Sequence, residues 1–358
     1  MNPLGERILR TIRATGPLPV STFMSLALLD PKAGFYASRE AIGTRGAFIT
    51  APEISQIFGE LLALWCAQLW RDQGSPGNPR LIELGPGRGT LMRDALRALR
   101  GAPDFLESLE VVLVEASPML KESQQELLRN AHLPVCWVQQ WSEIVQDRPL
   151  FLLANEFLDA LPIRQFVMTI RGWCERVVMA AGDELGFALS PHPVPLIVSK
   201  RRGVAEPGAV LEISTAAEAL VEDISRAVAT QGGAALFIDY GHAADGFGDT
   251  LQAVAHHNPV DVLACPGEAD LSAHVDFASM AESARRGGAQ VCPLLEQGTL
   301  LRALGIEIRA DILASADPAC ATEVRNAVLR LTDRGAMGAL FKAMAVTPPG
   351  APSPPGFE

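Results

Sequence analysis

The chain has 358 residues, 48% of them hydrophobic and 20% charged, and its 30 basic and 41 acidic side chains give a formal charge of −11. That balance supports a sizeable core and argues against a general nucleic-acid binder, whose affinity comes from Lys and Arg on phosphates. No apolar run reaches the roughly 18–20 residues of a membrane-spanning helix. The six cysteines are scattered with no CxxC pair, and no His/Cys group has metal-ligand spacing, so neither a disulfide framework nor a metal site is expected.

Pro3 to Leu29 reads as helices, with Ile8, Leu9 and Ile12 at helical spacing and Ser21 able to cap the second run. After a glycine-punctuated stretch, Thr50-Ala51-Pro52-Glu53 has the form of a helix start, with proline in the first turn and an acid near the positive end of the helix dipole. The helix that follows carries Ile57, Phe58, Leu61, Leu62, Leu64, Trp65 and Leu69, which is core packing. Gln73 to Pro79 is rich in turn residues and marks a boundary, so residues 1–77 form an N-terminal helical cap segment.

Strands and helices then alternate. Strands are expected at Arg80–Leu84, Leu109–Val114, Pro134–Val138 and Leu150–Ala154, with helices at Thr90–Leu99 and Pro118–Leu128. This order implies a mainly parallel sheet covered on both faces, an α/β fold. Val167 to Leu189 reads as antiparallel strands turning at Arg171-Gly172 and Gly182-Asp183. Lys200-Arg201-Arg202 is a local basic run, read as a solvated loop. A helix over Ser214–Ala229 and a strand over Ala234–Asp239 complete a core spanning 78–240. A glycine- and histidine-bearing insertion over 241–295 follows, then a C-terminal completion of the core over 296–347. That last piece holds a helix at Ala321–Leu331 and a strand near Phe341–Thr347, and a proline-rich tail, 348–358, is expected to be disordered.

The strongest local signal is Leu81-Ile82-Glu83-Leu84-Gly85-Pro86-Gly87-Arg88-Gly89-Thr90, a strand running into a glycine turn that opens a helix. Glycines let the backbone turn sharply and approach a ligand. The dinucleotide fingerprint is GxGxxG. Here the spacing is GxGxG and Thr90 takes the third-glycine position, which disfavours a nucleotide-dependent oxidoreductase. Glu83, before the first glycine, repels a pyrophosphate but suits a cationic ligand, such as the amine and sulfonium of S-adenosylmethionine. Glu115 ends the apolar strand Val111–Val114, where a carboxylate can accept from both ribose hydroxyls or cap the helix that starts at Pro118. Phe151 to Ala154 is apolar until Asn155-Glu156, which stand at the carboxyl edge of the sheet, where ligands of open α/β sheets bind.

On these residues the sequence resembles the MidA-like family of seven-β-strand S-adenosylmethionine-dependent methyltransferases, which includes mitochondrial complex I assembly factor 7. The resemblance runs from about Leu4 to Thr347. It is carried by Gly46–Gln56, Glu83–Thr90, Asn155–Pro162, Ile238–His242 with Gly248–Leu251, and Pro266-Gly267 with Asp270–Phe277. One departure is Ala47, where the family has an acid. The resemblance implies a Rossmann-like seven-stranded class I methyltransferase sheet with an N-terminal helical lobe and an inserted substrate lobe. It implies S-adenosylmethionine as cofactor and methylation of arginine on a protein, with a respiratory complex I core subunit as substrate in mitochondrial members. Because the chain begins directly in the family's core region, a bacterial-type cytoplasmic protein is expected, the mitochondrial matrix being the location of eukaryotic relatives.

Guanidinium is a poor nucleophile, because its charge is delocalised and its pKa exceeds ~12. Carboxylates must hold it and help to remove a proton as the new bond forms. Glu156 leads the catalytic candidates and Asp239 comes next. Asp159, three residues from Glu156 and on the same side of a helical turn, and His274 complete the set, with Glu53, Asp276 and Tyr36 from flanking segments. Glu83, Gly85, Gly87, Gly89, Thr90, Glu115 and Asn155 are the expected cofactor contacts. The rival from another class is a non-catalytic assembly factor that retains the fold.

Overall fold

The computed structural model describes residues 1–37, 50–131, 133–195, 204–244 and 246–358. The Lys200-Arg201-Arg202 run and the first part of the Gly46–Gln56 motif, Ala47 included, lie outside the described residues. The chain forms two units. A sheet unit comprises Ile49–Leu158, Leu220–Ala243 and Met280–Glu358, and a second unit comprises Met1–Phe48, Asp159–Ala219 and Ala244–Ser279.

Among the described residues, the main path of the sheet unit's sheet runs through seven strands: β1 (Arg80–Leu84), β2 (Glu110–Val114), β3 (Val135–Val138), β4 (Leu150–Asn155), β5 (Gly233–His242), β6 (Gln290–Val291) and β7 (Phe341–Thr347), with Leu295–Glu296 and Val275–Asp276 pairing off that path. Their spatial order is β6-β7-β5-β4-β1-β2-β3. Strands β3, β2, β1, β4 and β5 are mutually parallel, and β7 runs antiparallel to both β5 and β6. Covered faces explain the composition: all five residues of β1 and the first five of β4 are buried, so these strands are continuous rather than alternating apolar runs. The register aligns Leu84 with both Val114 and Ala154, and Asn155 with Ile238. The residues that follow β1, β2 and β4 therefore emerge along one edge with the end of β5.

The Gln73–Pro79 turn is not a boundary between lobes. Helix Gln56–Asp72 buries Ile57, Phe58, Leu62, Trp65 and Leu69 in the same core as Leu81, Val111 and Phe151 of the sheet. Gly59 permits its close approach to helix Thr90–Ala98, since a Cβ there would stand 2.8 Å from the Leu91 carbonyl oxygen. A helix apolar around most of its circumference has nowhere to go but a core. The single helix expected after Thr50 is two: Ala51–Ile54 and Gln56–Asp72, separated by Ser55 in extended conformation, whose Oγ accepts from the Ile57 N–H at 3.2 Å.

In the second unit, strands Arg164–Thr169, Gly172–Ala181, Glu184–Leu189 and Val210–Ile213 form an antiparallel sheet with Leu18–Pro19. The expected strands and turns are present, but this stretch does not belong to the parallel core spanning 78–240. Short reverse turns join Arg164–Thr169 to Gly172–Ala181 and that strand to Glu184–Leu189, and these hairpins pair with themselves. Helices Pro3–Thr15 and Val20–Leu29 pack Ile8, Phe23 and Met24 with Val178 and Leu271. Pro19, not Ser21, occupies the start of the second helix. The Gly248–Leu251 motif ties this unit together. Glu212 accepts from Gln165 Nε2 at 2.7 Å and from the N–H groups of Thr250 and Leu251. Asp249 accepts from Gln165 and from Arg176.

The tail is not disordered. Phe357 is 3% exposed in the core of the sheet unit, and Trp65 Nε1 donates to the Pro355 carbonyl at 3.2 Å. Its prolines stiffen a segment that one buried aromatic ring anchors. Phe357→Ala should therefore cost about 3 kcal/mol of stability, the scale of a buried Phe truncation. Urea denaturation measures this; a tail in solvent would give no change.

Candidate cofactor and active site

The three glycines after β1 all have positive φ, +58 at Gly85, +52 at Gly87 and +85 at Gly89. That left-handed backbone is open to glycine and costly for other residues. Gly85 also lies under Phe157, whose Cδ2 would meet an added Cβ at 2.6 Å. The Gly85 N–H donates to the Val114 carbonyl at 3.0 Å, and Gly89 stands at the N-terminus of helix Thr90–Ala98.

Two carboxyl groups face this loop from adjacent strands. Glu83 is 4% exposed and its Oε2 has no hydrogen-bond partner. Burial pushes its pKa up to about 8, the Glu115 charge adds to the rise, and the Met92 N–H opposes it. Burial likewise pushes Glu115 up to about 7, against hydrogen bonds from the Ser117 N–H, the Gln124 amide and the Ala116 N–H. The cap of helix Pro118–Leu128 is the Ser117 hydroxyl, so Glu115 is not needed for that role.

Gln124 is a site residue that the sequence reading did not single out. It is fully buried, and its Nε2 donates to Glu115 Oε2 at 3.0 Å and to the Gly87 carbonyl at 2.7 Å. Its Oε1 accepts from Trp137 Nε1 at 2.9 Å. The amide braces the glycine loop against the acid of the next strand. Its signal was present in the sequence: Leu120, Gln124 and Leu128 share one helix face, and a polar residue interrupts an apolar stripe.

On the other side of β1, Asn155 ends β4 and Glu156 follows with φ +50. Glu156 Oε1 accepts from the Ala51 N–H at 2.9 Å and from Asn155 Nδ2 at 3.1 Å. The buried Asn155 Oδ1 has no partner. Asp239, in β5, is 1% exposed; Oδ2 accepts from the N–H groups of Phe157 and Leu158 at 3.0 and 2.8 Å, and Oδ1 from the Tyr240 N–H at 3.0 Å. The 156–158 segment is thus a turn clasped by a carboxylate. It is not the helical turn expected to set Glu156 and Asp159 side by side, because left-handed backbone at Glu156 breaks any helix there.

Glu53, on the short helix Ala51–Ile54, accepts a hydrogen bond from the Thr90 hydroxyl and lies 3.5 Å from Arg88. One four-residue helix therefore touches both the glycine loop and Glu156. Asp159 and His274 belong to the second unit, where the Ala273 N–H donates to the Asp159 carbonyl and the His274 N–H to Thr250 Oγ1. Tyr36, in that unit, donates to Asp270 at 3.1 Å. Asp276 accepts from the N–H groups of Ala278 and Ser279 at the start of helix Phe277–Arg286.

A glycine cradle beside a buried acid with an unpartnered oxygen at Glu83, a second buried acid at Glu115 and an orphaned Asn155 amide oxygen suits a ligand with cationic centres, hydroxyls and N–H donors. Among the described residues no group of three or more His, Cys, Asp or Glu is placed to hold a metal ion, and no helix is long and apolar enough to cross a membrane.

Comparison with known proteins gives the same chemistry. Residues 61–293 match a family described as S-adenosyl-L-methionine-dependent methyltransferases. The mitochondrial protein arginine methyltransferase NDUFAF7 of Xenopus tropicalis is 35% identical, over 97% of this chain and 86% of its own. The mitochondrial homolog from Drosophila melanogaster is 35% identical over 96% and 85%. A crystal structure of a Burkholderia thailandensis protein bound to S-adenosyl-homocysteine superposes with a TM-score of 0.85 at 29% identity, covering 99% of this chain and 92% of that one. The chain belongs to this family. It is an enzyme with the class I methyltransferase fold, and S-adenosyl-L-methionine is its cofactor.

The raised Glu83 pKa sets a pH dependence. A glutamate in the unfolded chain ionises near ~4.3, whereas folded Glu83 keeps its proton to about 8. Between these values the folded state binds more protons than the unfolded one, so Glu83 removes stability as pH rises. Glu83→Gln should be more stable than wild type in the ligand-free protein, by a margin that grows from pH 5 to pH 8 at up to about 1.4 kcal/mol per pH unit. Denaturant unfolding across that range checks it; a pH-independent margin would show that Glu83 ionises normally.

Proposed function

We propose that this methyltransferase acts on arginine side chains of a protein substrate, a core subunit of respiratory complex I, with Glu156 holding the guanidinium. The observation that carries the reading is the Glu156 carboxylate fixed at the sheet edge by the Ala51 N–H and the Asn155 amide, one strand from the glycine loop. The names of the full-length relatives, protein arginine methyltransferases, support the substrate class. Those names also state a mitochondrial location, and they lend no support to a cytoplasmic one. We place the enzyme in whichever compartment holds its complex I subunit.

In this reading Gly85, Gly87, Gly89 and Thr90 cradle the cofactor. Glu115 takes the ribose hydroxyls, Glu83 balances the cationic end by giving up its proton as the cation binds, and the Asn155 amide orients it. S-adenosyl-L-methionine supplies an activated methyl group when bound. The carboxylate of Glu156 localises the charge of the substrate guanidinium and accepts its proton as the new bond forms. Asp239, whose oxygens already receive three backbone N–H groups, holds the turn that carries Glu156 and does not itself meet substrate. Asp159 and His274 remain further candidates for the substrate chemistry in this reading. An enzyme of net charge −11 attracts a cationic protein segment, and does so more weakly in salt.

Two substitutions separate the cofactor from the substrate half of the proposal. Gly87→Val places a branched side chain at φ +52 in the cradle. It should abolish S-adenosylhomocysteine binding in calorimetry while circular dichroism stays native; unchanged affinity would remove the loop from the cofactor site. Glu156→Gln keeps shape and loses charge. Cofactor affinity should be nearly intact while methyl transfer to the complex I subunit falls by about 10²-fold or more, the range for a lost general base or charge partner. Loss of cofactor binding instead would assign Glu156 to the cofactor pocket, and unchanged turnover would end the guanidinium reading.

A further inference from the structure

The cofactor edge is rich in acids. Glu83 and Asp239 lie within β1 and β5 toward their carboxyl ends, Glu115 and Glu156 follow β2 and β4, and Glu53 joins the glycine loop through Thr90. Ionised, as Glu83 and Glu115 become when a bound cation displaces their protons, these acids suit the sulfonium and α-ammonium of S-adenosyl-L-methionine and repel its α-carboxylate, which must meet a cation.

The segment from Gly85 to Ala98 offers three arginines. Arg97 is taken by Glu60 at 2.9 Å and Asp94 at 3.2 Å. Arg93 makes two hydrogen bonds to Asp94, at 3.0 and 3.1 Å. Arg88 differs. It sits between Gly87 and Gly89 at the tip of the cradle, and its side chain is 52% exposed. Its guanidinium is 3.5 Å from Glu53 Oε2, well beyond the ~2.7–2.9 Å of a charge-assisted hydrogen bond. Glu53 is in turn occupied by the Thr90 hydroxyl. Arg88 is thus held near the mouth by a loose ion pair, with its planar fork of donors available to a carboxylate.

We propose that Arg88 binds the α-carboxylate of the cofactor and makes the enzyme selective for cofactor forms that carry it. Glu53 keeps the guanidinium at the loop mouth and yields it to the ligand. The proposal rests on the cofactor lying along the glycine loop, as argued above.

The test is calorimetric, on the full chain, with two ligands: S-adenosylhomocysteine and its decarboxylated analogue, which retains the amine. Wild type should prefer the carboxylated ligand by about tenfold or more, the scale of a hydrogen bond to a charged group. Arg88→Gln should weaken S-adenosylhomocysteine by about 10- to 100-fold and leave the analogue unchanged. Arg88→Lys should fall between, since charge remains and the planar fork is lost. Equal weakening of both ligands, or no weakening of either, overturns the proposal, as does a wild type without preference. Gly87→Val separates the two levels. If it weakens both ligands while Arg88→Gln weakens neither, the cradle stands and the Arg88 assignment fails. If Gly87→Val weakens neither, the cradle reading fails and takes the Arg88 assignment with it.

Discussion

Burying a carboxyl group without a full set of donors is costly, and in the sheet unit that cost falls on Glu83. It sits inside a strand whose other residues, apart from Arg80 at the far end, are apolar. One oxygen has no partner, and the group holds its proton to about 8. Glu115, one strand away, is pushed up by the same burial, and its charge raises Glu83 further. A folded protein tolerates such a pair where something else benefits, and binding sites are the usual place. The surrounding order follows from it. Gln124 holds the Glu115 carboxylate to the glycine loop, Trp137 fixes the Gln124 amide, and Phe157 lies against Gly85.

Asp239 makes the opposite case. It is as deeply buried as Glu83, at 1% against 4% exposed, yet it receives three backbone N–H groups. Burial alone does not separate the two: one Glu83 oxygen has no donor, whereas both Asp239 oxygens are supplied. With its donors supplied from within, Asp239 fixes the turn after β4, and that turn carries Glu156 in left-handed conformation. A residue with φ +50 and a side chain longer than Asn persists only when its surroundings over-determine it, as they do here at both ends of the turn.

The parallel sheet was legible because covered strands must be apolar throughout, and β1, β2 and β4 announce themselves as short apolar runs ending in glycine or acid. The cofactor edge was legible for the same reason: Glu83, Glu115, Asn155 and Glu156 are polar residues at the ends of such runs. The partition of the chain was not. The Gln73–Pro79 turn looks like a boundary in composition, but the helix before it is apolar on too many sides to stand apart. The hairpins after Pro162 continue the alternation of the core without joining it, since strand pattern carries no label for which sheet a strand enters. The tail was misread because prolines signal loss of helix and sheet, not loss of packing, and a single Phe357 suffices to dock it. Asp239 was seen as an acid at a strand end; nothing local could show that three N–H groups from two segments converge on it.

The short helix Ala51–Ile54 joins the two halves of the edge. Pro52 suits its first turn, where no backbone donor is needed, and the first-turn Ala51 N–H, without an acceptor in the helix itself, meets Glu156. Two residues after Ala51, Glu53 reaches Thr90 and Arg88 of the glycine loop. Ser55 then breaks the backbone and caps helix Gln56–Asp72, whose Gly59 locks it to helix Thr90–Ala98. The four residues are therefore pinned from both sides by groups that belong to different strands. Neither Glu156 nor the loop is positioned by its own strand alone, and the carboxylate at one end shares its scaffold with the cation at the other. Preorganisation of this kind depends on the hydrogen bonds that hold the contacting side chains as much as on those side chains themselves. It accounts for why Thr50-Ala51-Pro52-Glu53, read from the sequence as a helix start with Glu53 flanking the site, ranks with the glycine loop among the motifs that define this edge.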